Sequence, residues 1–190
     1  MKILGGSAKG MNLFSLDDNS VRPALARMRN SLFNIMAPII PGTVCLDLFA
    51  GTGALGLEAL SRGADFCIFS ENNRRCFDVL SRNIAKLKVN DKSQVLFINA
   101  FSISEHLASN RLIDVIFVDP PYKYYNDNLI RPRLIELLDS LVEKGLVNPD
   151  GRVIVEHSQK QFSDAEFKML VLYDIREYGQ TKLSFFHPKA

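Results

Sequence analysis

Between Thr43 and Ser158 the chain repeats one pattern: a short apolar run, a turn, then a longer stretch with apolar residues at helical spacing. The runs are TVCLDLF, DFCIFSE, QVLFINA, IDVIFVDPPY and RVIVEHS. Each is too short for a typical helix and reads as a strand buried on both faces. Between them, ALGLEALSRG, residues 73–87, a short stretch near 101–108 and residues 127–143 read as helices. In the second of these Phe77, Leu80, Ile84 and Leu87 share one face. Gly63 stands where a helix C-cap is expected. Such alternation demands βαβ units and a parallel sheet. After the fifth run, FKMLVLYDIREYG and QTKLSFFHP read as two strands meeting near Gly179-Gln180. A connection that short makes them antiparallel. The expected fold is α/β, a mostly parallel open sheet with a C-terminal antiparallel hairpin at one edge.

Residues 2–14 alternate loosely around Gly5-Gly6 and Gly10 and suggest a small hairpin. Arg22-Pro23 opens a helix over 24–36 with Leu25, Met28, Leu32, Ile35 and Met36 in one stripe, and Pro38 and Pro41-Gly42 end it. Two parts are therefore expected, an N-terminal hairpin and helix over 1–38 and an α/β domain over 39–190.

Composition sets outer limits. Hydrophobic residues at 47% and a net charge of +2 exclude a disordered chain. No apolar run is long enough to span a bilayer, and the N-terminus lacks the apolar core of a secretory signal. Cys45, Cys67 and Cys76 show no metal-ligand spacing and an odd count, so reduced thiols in a cytoplasmic, metal-free protein are expected. Lys2, Lys9, Arg22, Arg27 and Arg29 against Asp17 and Asp18 leave the first 36 residues at a net +3. A basic segment on a near-neutral body points towards a polyanionic partner.

In open α/β sheets ligands bind at the carboxyl ends of the strands. After the first strand, Gly51, Gly53 and Gly56 form G-x-G-x-x-G between strand and helix, and Glu71 follows Gly51 by 20 residues at the end of the second strand. The glycines permit a tight turn and a close backbone approach to a ligand, and a carboxylate at Glu71 can accept from both ribose hydroxyls. A dinucleotide and S-adenosylmethionine both fit this pattern. Asp47 at the loop entry favours the second, because a carboxylate suits a cationic amino-acid tail and repels a pyrophosphate. The fourth strand ends in Asp119-Pro120-Pro121-Tyr122. The prolines stiffen the turn and remove two N–H donors, leaving acceptors suited to an exocyclic amine. Tyr122 offers a face on which a planar base can stack.

On these residues the chain resembles the class I methyltransferases, Asp47–Gly53 being similar to their motif I and Asp119–Tyr122 to their (D/N)PP(Y/F) motif. The wider pattern resembles the RsmD-like guanine-N2 methyltransferases of small-subunit (16S) ribosomal RNA in bacteria. It comprises Ile3-Leu-Gly-Gly6 with Gly10, Arg22-Pro23 with Arg27, Arg29 and Leu32-Phe-Asn34, the block Leu46–Ala64, Val118–Tyr122, Glu156, and Tyr178-Gly179. The resemblance implies a Rossmann-like seven-stranded sheet and S-adenosylmethionine as cofactor. It implies cofactor contacts from Asp47, Phe49, Ala50, Gly51, Thr52, Gly53, Glu71, Asn72, Asn99, Ala100 and Asp119, and a catalytic turn of Asp119, Pro120, Pro121 and Tyr122. It further implies RNA contacts from Lys9, Arg22, Arg27, Arg29 and Lys123, a substrate within a small-subunit particle, and a monomer without membrane or metal. Departures from the family pattern are Ala26 and Asn30 around the two helix arginines, and Asn99 where the third strand usually closes in Asp-Ala. An Asn carbonyl can still accept from an adenine amine.

His106, His157 and His187 are taken as surface histidines, Glu156 as an ion-pair partner, and Tyr124 and Tyr125 as either pocket wall or packing. The same chemistry on adenine N6 or a protein glutamine amide, a dinucleotide-dependent oxidoreductase, and a catalytically silent RNA-binding module stand as alternatives.

Overall fold

The computed structural model describes residues 1–16, 23–108, 111–121, 130–157 and 162–189. Helix α1 spans Pro23–Ile35 and leads to β1, Val44–Asp47. Then follow α2 (Ala54–Ser61), β2 (Phe66–Ser70), α3 (Arg74–Leu87), β3 (Ser93–Leu96) and a six-residue 3-10 turn over Ala100–Glu105. The chain continues through β4 (Ile113–Val118), α4 (Ile130–Glu143), β5 (Val147–His157), β6 (Leu170–Tyr178) and β7 (Thr181–Pro188). Seven strands form one sheet in the order β3-β2-β1-β4-β5-β7-β6. Pairs among β1 to β5 are parallel, and β7 runs antiparallel to both β5 and β6. The architecture expected from strand–helix alternation is the one observed.

Alternating residues bury the two faces of the sheet. On β4, Val115 and Phe117 join one core cluster, while Ile116 and Val118 join the other. On β1, Cys45 and Leu46 divide the same way. The first cluster lies under α1, α2 and α3, and the second under α4. Double coverage is the reason these strands read as unbroken apolar runs. Burial pushes the Cys45 thiol up to about 12, which keeps it protonated.

The hairpin expected over residues 2–14 is a loop with one antiparallel bridge, Lys2 with Asn12. It is held by what it docks on. Ile3 and Leu13 enter the first core cluster beside Met28, Leu32 and Phe33 of α1. The Leu4 N–H donates to Glu58 Oε2 at 2.8 Å, and the Ala8 N–H to Ser61 Oγ at 3.0 Å, so α2 carries the loop. Gly6 has φ +74° and its missing side chain would collide with the Ser61 carbonyl, so no other residue fits there.

β5 is longer than its apolar run. It starts at Val147, and its register against β4 shifts between Ile113 and Val115. The turn-like Asn148-Pro149-Asp150-Gly151 is absorbed as an irregularity in the strand.

Candidate active site

β1 lies between β2 and β4, where the chain's progress through the sheet reverses direction. Connections leaving such a point diverge and open a crevice at the strand carboxyl ends. A cavity of about 740 Å³ occupies this place. Its wall is residues 48–52 after β1, 70–73 after β2, 98–100 after β3, 119–121 after β4, and Glu156 near the end of β5. Phe49, Ala50, Gly51, Thr52, Glu71, Asn72, Asn99, Ala100, Asp119, Pro120 and Pro121 are thereby brought together. Tyr122, Arg22 and Lys123 lie outside the described residues, as do Tyr124 and Tyr125.

The glycines divide their work. Gly51 has φ +54°, and a side chain there would meet no protein atom within 4 Å, so bare backbone borders the open cavity. At Gly53 a Cβ would strike Leu80 Cδ1 at 2.5 Å, and at Gly56 it would strike the Phe69 ring and Cys67 Sγ. Gly51 therefore serves a ligand, while Gly53 and Gly56 let α2 sit close on α3 and the sheet.

The polar wall is already partly engaged. Glu71 accepts the Gly51 N–H at 2.7 Å and the Asn73 N–H at 2.6 Å. A carboxylate offers about four acceptor sites, so capacity for two ribose hydroxyls remains. Asn73 caps α3 by accepting from the N–H groups of Arg75 and Cys76. Asn99 Oδ1 accepts the Phe101 N–H at 3.1 Å and keeps a second lone pair. These residues fit a nucleoside-bearing ligand: a bare backbone cradle, a carboxylate for hydroxyls, and an apolar wall from Phe49 and Ile98.

Asp47 and Gly53 are not on the cavity wall. Asp47 is turned under the glycine loop, 1% exposed, where Oδ2 accepts the Gly56 N–H at 2.9 Å. Burial pushes its carboxyl up to about 7; the Gly56 bond opposes this, and the charges of Asp119 and Glu71 add to it. It shapes the loop from beneath, where direct contact with a cationic tail is not offered.

Asp119 opens to the cavity, yet protein surrounds the rest of it and raises its carboxyl above the ordinary range. Glu156 differs from its sequence reading. Among the described residues it makes no ion pair and lines the cavity instead, 9% exposed. Burial and then the Asp119 charge raise it further than Asp119, so one proton of the pair sits on Glu156 at neutral pH. The available signal was a carboxylate closing an apolar strand at the level of Asp119.

Two more expectations change. His157 is 1% exposed and its Nε2 lies 2.8 Å from Ser184 Oγ, because its strand is covered on both faces. Lys9 and Arg27 are exposed, but Arg29 is buried and donates to the Lys2 carbonyl at 2.6 Å. Burial pulls its guanidinium below the usual arginine range, with Glu58 opposing. A second groove of about 510 Å³ lies along α4, and its most buried charges are already engaged. Arg131 pairs with Glu166 at 2.9 Å, and Asp139 accepts the N–H groups of Lys168 and Met169.

The family model described as Conserved hypothetical protein 95 matches residues 1–187. The chain is 36% identical over 156 residues to Ribosomal RNA small subunit methyltransferase D of Escherichia coli K12, covering 82% of this chain and 74% of that protein. The chain belongs to the RsmD-like methyltransferase family. The family member YlbH of Bacillus subtilis, named as a candidate rRNA methyltransferase, is 32% identical over the full length of both chains. The solved structure of yhhF from Escherichia coli, titled a candidate methyltransferase, matches with a TM-score of 0.77 at 29% identity, covering 100% of this chain and 98% of that one. TrmN from Thermus thermophilus matches with a TM-score of 0.67 at 18% identity, over 90% of this chain and 51% of that one, and shares the fold. Among the described residues of this RsmD-like chain, no helix is long and apolar enough to cross a membrane.

Proposed function

We propose that this protein transfers the methyl group of S-adenosylmethionine to the exocyclic N2 amine of a guanine in small-subunit ribosomal RNA. The observation that carries the reading is a single cavity joining the Gly51 cradle and Glu71 to Asp119-Pro120. Relatives named for ribosomal RNA methylation support the substrate class.

Glu71 and Asn99 would hold the nucleoside part of the cofactor, with the loop from Phe49 to Thr52 beside its tail. When bound, the cofactor supplies an electrophilic methyl group. The protein's own contribution is positioning. Asp119 and the Pro120 carbonyl accept the two amine hydrogens, and the prolines present no competing donor. The amine must lose one proton after transfer, and an ionised Asp119 with a raised pKa is suited to receive it and pass it to water. Tyr122 would stack a base turned out of its helix. The N-terminal part, residues 1–38, would present Lys9, Arg22 and Arg27 to RNA phosphates, with Lys123 beside the catalytic turn. On this reading the protein works as a monomer in the cytoplasm on a small-subunit particle, without metal.

The test incubates the protein and an Asp119→Ala variant with methyl-labelled S-adenosylmethionine and unmodified small-subunit particles. Label in N2-methylguanosine, lost in the variant, is the expected result. Cofactor binding without label in that nucleoside overturns the reading.

A further inference from the structure

We propose that Glu156 reads the nucleobase, its carboxyl pairing with the N1–H and the C6 carbonyl of the guanine whose amine Asp119 holds. The inference deepens the proposed function and rests on it.

Three observations carry it. Val118 pairs with Val155 in parallel register, so Asp119 and Glu156 are the next residues on neighbouring strands, whose backbones lie about 4.8 Å apart. Both line the same cavity. Glu156 is 9% exposed, and its carboxyl makes no hydrogen bond or ion pair among the described residues. A mostly buried carboxyl whose oxygens face the cavity without a protein partner is placed to take one from a ligand.

The chemistry matches one base edge. Along guanine's pairing edge come the amine, then N1–H, then the C6 carbonyl: donor, donor, acceptor. With the amine on Asp119, the adjacent protein group must accept from N1–H and donate to O6. A protonated carboxyl does both in one cyclic pair. Burial beside the Asp119 charge keeps the proton on Glu156 in this pair of carboxyls. Adenine presents a bare ring nitrogen beside its amine and engages only the O–H. A glutamine amide presents nothing beyond its own carbonyl. The cavity thus rewards guanine with a bond that the other two amines lack.

The test compares wild type, Glu156→Met and Glu156→Gln on small-subunit particles, with kcat and KM, N2-methylguanosine yield, S-adenosylmethionine affinity by calorimetry, and Tm. Met keeps the volume and removes both polar functions; Gln keeps one donor and one acceptor. Expected for Met is a loss of about 100-fold in kcat/KM with unchanged cofactor affinity and a raised Tm. Gln recovers most of the lost rate. A Met variant equal to wild type in rate overturns the role. So does a Met variant that loses Tm along with activity, because that marks a structural residue, and so does a Gln variant as slow as Met. Wild type without label in N2-methylguanosine overturns the reading of the site itself, an outcome separate from these three.

Discussion

Asn83 of α3 clasps Phe14 of the N-terminal arm from both sides, accepting its N–H at 2.8 Å and donating to its carbonyl at 3.1 Å. The same amide donates to the Thr52 carbonyl at 2.9 Å, so one fully buried side chain ties the arm to the glycine loop. Replacing Asn83 by Ala strands three backbone groups. The expected cost is about 2–4 kcal/mol of stability together with weaker S-adenosylmethionine binding. Urea unfolding and calorimetric titration of the same variant check both; a variant with wild-type cofactor affinity would show that the arm and the loop are independent.

Gly51 and Gly56 belong to one motif and are expected to fail differently. Gly56→Ala drives a methyl into Phe69 and Cys67 and should destabilise by about 1–3 kcal/mol. Gly51→Ala meets no protein atom, and its strained φ of +54° costs about 1 kcal/mol. Its methyl borders the ligand space, so cofactor affinity should fall by more than stability does. Thermal melts with and without S-adenosylmethionine separate the two.

Asp47 makes stability depend on pH. Its carboxyl is raised to about 7 in the fold from an ordinary 3.8, so between those values the folded state holds a proton that the unfolded state has lost. Stability contributed by the protonated form is full below pH 4 and declines as pH rises towards 7. Asp47→Asn keeps an acceptor for the Gly56 N–H and removes the charge. It should stabilise the protein at pH 8 on the order of 2 kcal/mol and change little at pH 4. Denaturation midpoints at the two pH values decide; equal gains at both would contradict the burial account.

Arg27 and Arg29 stand two residues apart on α1 and face opposite surroundings, one exposed and one buried. Arg27→Ala should leave Tm unchanged and reduce the salt dependence of RNA binding by roughly 0.7 in the log–log slope. Arg29→Ala leaves the half-buried Lys2 carbonyl without this donor and should cost about 1–2 kcal/mol of stability. Filter binding across salt concentrations, paired with melts, distinguishes a phosphate contact from a structural brace.

Strand–helix alternation, the parallel core and the glycine cradle were legible because each depends on local spacing: apolar runs of strand length, helical stripes, and glycines directly after a strand. The order of strands across the sheet, with β7 inserted between β5 and β6, was not. β5 starts ahead of its apolar run because Val147 pairs with Ile113, while the turn residues Asn148-Pro149-Asp150-Gly151 bulge out before the register resumes at Arg152. Arg29, Glu156 and His157 were misread for one shared reason. Whether a charged or polar side chain faces water, backbone or a cavity depends on partners far away in sequence. For these three they are Lys2, Asp119 and Ser184.

By itself the sequence determined the layered α/β fold and the two loops that carry the site, because hydrophobic period and backbone freedom are properties of neighbouring residues. Only the tertiary structure decided that Asp47 supports the loop from beneath, that Arg29 braces the arm, and that Glu156 stands open beside Asp119. Those roles come from burial and from cross-strand register, which exist only once distant segments are packed together.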